Sequence, residues 1–214
     1  MNKTMKILLR LDFRWLIAGG AVTLIVAFGC GYIAGRGGWH LNVTFHDMLV
    51  NNPRELCNLI TPNDTRVRTL AESLNSYENA YLYVRDRIDN DPSLPAMPAG
   101  DVINEGRASC LGKAIVLCSL YRALGKPASD VRVVIGEADL PTGGFDHAWI
   151  ELEYDGQCLQ QDTTNILGQF SFGQFRGVKY VETFIRDEEF VLNDKRFAMV
   201  SQLNRLKGTG HPLL

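Results

Sequence analysis

The sequence predicts an α+β domain behind an apolar N-terminal span, on three observations. A helix-like run from about Ser109 to Leu124 holds only two charged side chains, Lys113 and Arg122. Beyond it lie β-branched and alternating runs, two of which flank Asp155-Gly156, a strong signal of a two-residue hairpin turn. A helix followed by hairpin-connected antiparallel strands is the α+β order. Ahead of both, residues 15–35 form a run without a charged side chain.

The chain has 214 residues and a formal net charge of -2. That length suits one domain with an appendage and can bury a sizeable core. The balanced charge excludes a strongly basic nucleic-acid-binding surface as the default, so no nucleic-acid partner is expected. The balance is uneven along the chain. Lys3, Lys6, Arg10, Arg14 and Arg36 against Asp12 give residues 1–36 a charge of +4, which leaves -6 for the remainder.

The 21 residues from Trp15 to Gly35 are long enough, at about 1.5 Å each, to cross a hydrocarbon core of about 30 Å. Trp15 and Tyr32 stand near the ends, where amphipathic aromatics favour the interface. A buried core helix would not need so long an uncharged run. A cleaved signal peptide would have an unusually long apolar region with no clear small-x-small site after it. An uncleaved transmembrane anchor is therefore expected at residues 15–35. Four basic residues precede it, and after Arg36 none follows until Arg54. The positive-inside bias then puts residues 1–14 in the cytoplasm as a basic tail and the remainder outside. Residues 36–62 read as a partly helical juxtamembrane segment, and 63–214 as the folded domain.

Cys57, Cys110, Cys118 and Cys158 would then lie in an oxidising compartment. If Cys110 stays a thiol, at most one intramolecular disulfide can form among the others.

Within the domain, Leu70, Leu74, Tyr77, Tyr81, Val84 and Ile88 recur at steps of four and three, one stripe of an amphipathic helix. Asn90-Asp91-Pro92 should stop it, and Pro92 to Gly106 reads as a loop. The next helix carries Leu111, Ala114, Ile115, Cys118 and Tyr121 on one face and ends at Gly125 and Pro127. Val131 to Ile135 is strand-like, and 138–146 reads as a flexible loop. Gly177 to Arg186 looks like a further strand, and Phe190 to Leu206 continues the domain.

The hairpin brings two polar residues together. A two-residue turn at Asp155-Gly156 makes Tyr154 face Gln157, Leu152 face Leu159 and Trp149 face Asp162. His147 then opposes Thr164, with Asp162 as its diagonal neighbour on the same face, about 7 to 8 Å away between backbones. A slip of one residue would separate them. Cys110 opens the preceding helix, where unpaired backbone N–H groups and the macrodipole favour a thiolate. A thiol, an imidazole and a carboxylate can act as nucleophile, base and orienter. Taken singly, each has a plainer explanation: Cys118, on the same helix, reads as apolar filler.

Five segments in order, Ala108 to Ala114, Leu120 to Ala128, Val131 to Gly136, His147 to Glu151 and Asp162-Thr163-Thr164, resemble the core of the transglutaminase-like superfamily. Tyr83 to Ile88 is similar to the helix that precedes that core. The resemblance covers about residues 66–165. It implies a papain-like cysteine-protease fold, a central helix packed on an antiparallel sheet, with Cys110 as nucleophile, His147 as base and Asp162 as orienter. No cofactor and no metal is expected. Ala108 replaces a usual glycine, Thr163 a usual proline, and Cys158 stands near the place of a usual tryptophan.

The expected activity is that of a membrane-anchored thiol enzyme that hydrolyses or exchanges amide bonds of a peptide or protein substrate through a thioester. A non-catalytic binding module on the same fold is the second reading. A metal site from Cys110, His147, Asp162 and Cys158 is the third, without a Cys-x-x-Cys or paired-His spacing to support it.

Overall fold

Ser109 and Gly125 mark the two ends of the helix around which the core is built. The structure, a computed structural model, describes residues 53–140, 143–166, 170–173 and 185–200. In chain order its elements are α1 (Pro53–Leu59), α2 (Thr65–Leu74), α3 (Tyr77–Arg87), β1 (Asp89–Asn90), α4 (Ala99–Glu105), β2 (Arg107–Ala108) and α5 (Cys110–Ala123). Then follow β3 (Val131–Leu140), β4 (Gly143–Tyr154), β5 (Gln157–Gln161), β6 (Ile185–Leu192) and β7 (Phe197–Met199). β1 and β2 form a short parallel pair, and the other five strands form an antiparallel sheet in the order β5-β4-β3-β6-β7. This is the α+β arrangement the sequence predicts.

α5 lies between the other helices and the sheet, and every residue from Cys110 to Tyr121 is buried. A helix apolar nearly all round can only sit inside. Ile115, Leu117 and Leu120 share one core with Val133 and Ile135 of β3 and with Ala148, Ile150 and Leu152 of β4. Alternation along β4 turns Trp149 to the opposite face, where it packs with Val134, Ala138 and Val191.

The single helix expected over residues 70–88 is two helices. Asn75 adopts a left-handed φ of 55°, and Ser76 caps the next helix by accepting a hydrogen bond from Asn79 N at 3.0 Å. Asparagine tolerates that conformation and serine favours the N-cap position, so the break is local chemistry that the apolar stripe hides. α3 ends at Arg87, before the expected stop. The stretch expected to be a loop from Pro92 to Gly106 contains α4, which starts after Pro98 and ends at Gly106 with φ 72°. Gly100 lets α4 approach α2 closely, since a Cβ there would lie 2.6 Å from Asp64 Oδ2.

The flexible loop expected at 138–146 is instead the outer part of a long hairpin, in which Ala138 pairs with Phe145 and Leu140 with Gly143. Glycines and a proline suggested a loop, but backbone pairing of β3 with β4 carries both strands through it. Before α2, Leu56 is fully buried and Ile60 nearly so, and both belong to the α5 core. The anchor expected at 15–35 lies outside the described residues, as do 36–52, the start of the strand expected at 177–186, and 201–214. No helix among the described residues is long and apolar enough to cross a membrane.

The β4–β5 register agrees with the turn. Asp155 and Gly156 both have positive φ, 50° and 73°, as a two-residue hairpin turn with two left-handed positions requires. Tyr154 pairs with Gln157, Leu152 with Leu159 and Ile150 with Gln161. Pairing stops at Gln161, so the facing positions expected for Trp149 with Asp162 and His147 with Thr164 lie beyond the last ladder pair.

Candidate active site

Cys110 is the first residue of α5 and is 8% exposed. Ser109 takes the N-cap, its hydroxyl accepting from Gly112 N at 3.5 Å. The strand that delivers the cysteine runs tight against the helix: a Cβ on Gly112 would come within 2.7 Å of the Ala108 Cβ. Gly112 therefore accommodates the methyl that Ala108 brings in place of glycine.

His147, on β4, is 2% exposed, and Asp162, just past β5, is equally buried. His147 Nε2 lies 2.9 Å from Asp162 Oδ2. The structure thus brings together the two residues that the hairpin places on one face. The imidazole sits between aromatic neighbours on its own strand face, with ring centroids 5.3 Å from Phe145 and 6.2 Å from Trp149. Nδ1 is buried and makes no hydrogen bond.

Asp162 is itself held. Its Oδ1 accepts from Thr164 N and from Thr164 Oγ1, both at 2.8 Å, which leaves Oδ2 for the histidine. The Tyr81 hydroxyl lies 3.0 Å from Asp162 O and 3.0 Å from Phe170 O, its single proton shared between the two carbonyls. Thr164 was legible as the third residue of an Asp-x-Thr turn, in which an aspartate binds the backbone two residues on. Tyr81 carried no such signal, because its place in the apolar stripe of α3 reads only as packing.

Burial alone would push the His147 imidazole down. The Asp162 charge and hydrogen bond outweigh it, the Cys110 thiol adds in the same direction, and the result is about 10. The Asp162 carboxyl faces the same contest: burial pushes it up, but the His147 charge and the Thr164 hydrogen bonds hold it below the ordinary 3.8. The two shifts describe an imidazolium–carboxylate ion pair sheltered from water. Since Asp162 occupies Nε2, the other ring nitrogen is Nδ1.

Two further polar groups are packed near this pair. Lys113 is 1% exposed on the first turns of α5, its Nζ donating to Ile88 O at 2.7 Å. Burial pushes that ammonium down to about 8, against the opposing pull of Asp162, Asp89 and Asp86. Along β4, Trp149 Nε1 donates to Gln160 Oε1 at 2.6 Å, and Gln160 donates on to Glu151, which also binds Arg132. This chain ties β5 to β4 next to the histidine.

Cys57, Cys110, Cys118 and Cys158 are all unpaired. Cys118 is fully buried, and burial pushes its thiol well up, as befits apolar filler. Among the described residues no group of three or more His, Cys, Asp or Glu side chains is arranged to hold a metal ion. A polar cavity of about 170 Å³ lined by Arg68, Arg122, Asp194 and Lys195 lies at the opposite end of α5 from Cys110.

Residues 64–160 match the family model described as the transglutaminase-like superfamily. No match was found among curated protein sequences. Among solved structures, LapG of Legionella pneumophila is similar at 16% identity, covering 72% of this chain and 79% of that one, with a TM-score of 0.43. Its EGTA-treated form gives 14% identity, 68% and 83% coverage and a TM-score of 0.45. A candidate cysteine protease from Cytophaga hutchinsonii gives 17% identity, 68% and 55% coverage and a TM-score of 0.41. Residues 64–160 are thus a transglutaminase-like superfamily region of this chain, and Asp162-Thr163-Thr164 follows just after it.

Proposed function

We propose that the protein is a membrane-anchored thiol enzyme that hydrolyses or exchanges amide bonds of a peptide or protein substrate. The observation that carries this reading is the buried 2.9 Å pairing of His147 Nε2 with Asp162 Oδ2, which leaves Nδ1 for Cys110, a neighbouring thiol that opens a helix and interacts with the ring. Such a pairing fixes the ring and its tautomer, and it stabilises the imidazolium formed when a thiol gives up its proton.

In the proposed reaction the proton of Cys110 rests on His147 Nδ1, so that a thiolate stands beside the imidazolium, and the sulfur attacks the carbonyl carbon of the substrate amide. The oxyanion forms near the start of α5, where the backbone N–H of Cys110 is a candidate donor. Collapse breaks the C–N bond, His147 gives the proton to the departing amine, and a thioester remains on Cys110. Water or a second amine, deprotonated by His147, then attacks the thioester and frees the thiol. Asp162 holds the ring throughout, and Thr164 holds Asp162.

The proposal extends to place. Residues 15–35 anchor the chain, residues 1–14 lie in the cytoplasm, and the site works outside it. The uncharged run with its basic N-terminal flank supports this orientation.

Alkylation by chloroacetamide, followed by mass spectrometry of the full chain in detergent, tests the reading. The expected result is rapid modification at Cys110 that Cys110→Ala abolishes and His147→Ala slows by about 10²-fold or more. A Cys110 that reacts as fast without His147 would leave a binding module as the better reading.

A further inference from the structure

Among the described residues Lys113 is a buried cation with only backbone carbonyls for hydrogen-bond partners. Its Nζ donates to Ile88 O at 2.7 Å and reaches Arg85 O at 3.3 Å. Among the described residues no carboxylate lies within ion-pair distance of it. Burying an ammonium in this way is costly, and an apolar residue of similar volume often stabilises a core as well or better. Stability alone therefore gives a weak reason for a lysine here.

Its partners suggest a stronger one. The two carbonyls belong to the C-terminal end of α3, where helix carbonyls lack intrahelical donors and attract positive charge. Lys113 stands one turn after Cys110, so this bond ties the start of the cysteine helix to the end of α3. From the same helix Tyr81 reaches Asp162 O, and Arg85 donates to Phe170 O at 2.5 Å. α3 therefore grips the cysteine helix with its backbone and the aspartate segment with its side chains. Just after α3, Asp89 N donates to Gly106 O at 2.9 Å and Asp91 N to Ala108 O at 2.8 Å, which fastens the strand leading into Cys110.

We infer that α3 is a brace that sets Cys110 against the His147–Asp162 pair, with Lys113 and Tyr81 as its positioning residues. Neither touches the reacting atoms. Lys113 fixes where the thiol starts, Tyr81 fixes where the carboxylate ends, and the distance between them is spanned by one rigid helix. The inference rests on the thiol-enzyme reading above.

The test compares the rate of Cys110 alkylation by chloroacetamide in the full chain with that in Lys113→Met, Tyr81→Phe and the double variant. Modification of the fully buried Cys118 serves as an internal signal of unfolding. Each single variant is expected to slow Cys110 at least about tenfold, with Cys118 still protected and the melting midpoint little changed. The double variant is expected to be no slower than the slower single, because both bonds act through one helix. Tyr81→Phe removes a single oxygen and carries the test alone if Lys113→Met does not fold. Unchanged Cys110 rates in the single variants, additive losses, or losses that appear only together with Cys118 modification would each overturn the brace. His147→Ala separates the two levels: a wild-type rate that does not depend on His147 overturns the enzyme reading and the brace with it. A His147-dependent rate indifferent to Lys113 and Tyr81 overturns the brace alone.

Discussion

His147 and Asp162 meet through Nε2 and Oδ2 at 2.9 Å, with both side chains closed to solvent. The carboxylate's other oxygen is committed to Thr164, so Asp162 has one oxygen for the ring and one for its own turn. A carboxylate held this way can neither swing away from the imidazole nor drift into solvent. Asp162→Asn should keep the shape but remove the charge and offer an amide in place of an acceptor. Alkylation of Cys110 should then slow by about 10² to 10⁴-fold, the span usually attached to a positioned base. Rate measurement on the purified variant checks it.

Thr164→Val tests how much the second oxygen matters. The valine keeps the backbone N–H bond to Oδ1 and deletes the hydroxyl bond. A hydrogen bond to a charged group contributes about 1.5 to 3 kcal/mol. Urea unfolding should show a loss of that order, and Cys110 alkylation should slow about tenfold.

The pair should also write a pH signature into stability. The His147 value is raised from 6.5 to about 10, so its contribution is fully present below pH 6.5 and is lost as pH rises through about 10. The Asp162 value is lowered, so its contribution is present above 3.8 and is lost as pH falls through its depressed value. Urea midpoints across pH should fall at both ends. The alkaline fall should not exceed about 1.4 kcal/mol per pH unit for this one proton, and it should be missing in His147→Gln.

The turn at Asp155-Gly156 offers a separate handle on the same geometry. Gly156 has φ 73°, where a β-branched side chain is strained. Gly156→Val should cost about 1 to 3 kcal/mol, read as a lower melting midpoint. If the turn sets the register that joins His147 to Asp162, Cys110 alkylation should slow in proportion to the hairpin's loss of order rather than remain at the wild-type rate.

These tests bear on what the sequence made legible. The hairpin was readable because Asp155-Gly156 permits one turn geometry, and a side-chain period of two then leaves no freedom in the register. The pairing of His147 with Asp162 follows from it. The α5 boundaries were readable because Ser109 and Gly125 are strong caps. Other features were hidden for a physical reason. The break between α2 and α3 costs no apolar periodicity, so Asn75 and Ser76 went unheard beneath the stripe. α4 is seven residues long and directly follows the prolines at 92, 95 and 98, too short for a period to show. The hairpin outside His147 is held by backbone pairing, to which Gly143 and Gly144 add no side-chain signal. Lys113 and Tyr81 act through carbonyls of distant segments, which only the folded chain brings near.

The anchor proposal has its own check. Full chain in a membrane fraction should resist extraction by carbonate and dissolve in detergent, whereas a chain lacking residues 1–36 should appear in the soluble fraction. A full chain released by carbonate would contradict an anchor at residues 15–35.

Formation of an acyl-enzyme tests the central claim most directly. Mixed with p-nitrophenyl acetate, the full chain should release a burst of about one equivalent of nitrophenolate and gain one acetyl group on Cys110. Hydroxylamine should remove that group, as it does a thioester. Cys110→Ala should give no burst, and His147→Ala a burst slowed by about 10²-fold or more. An acetyl group on another residue, or a burst that proceeds at the wild-type rate without His147, would contradict the account.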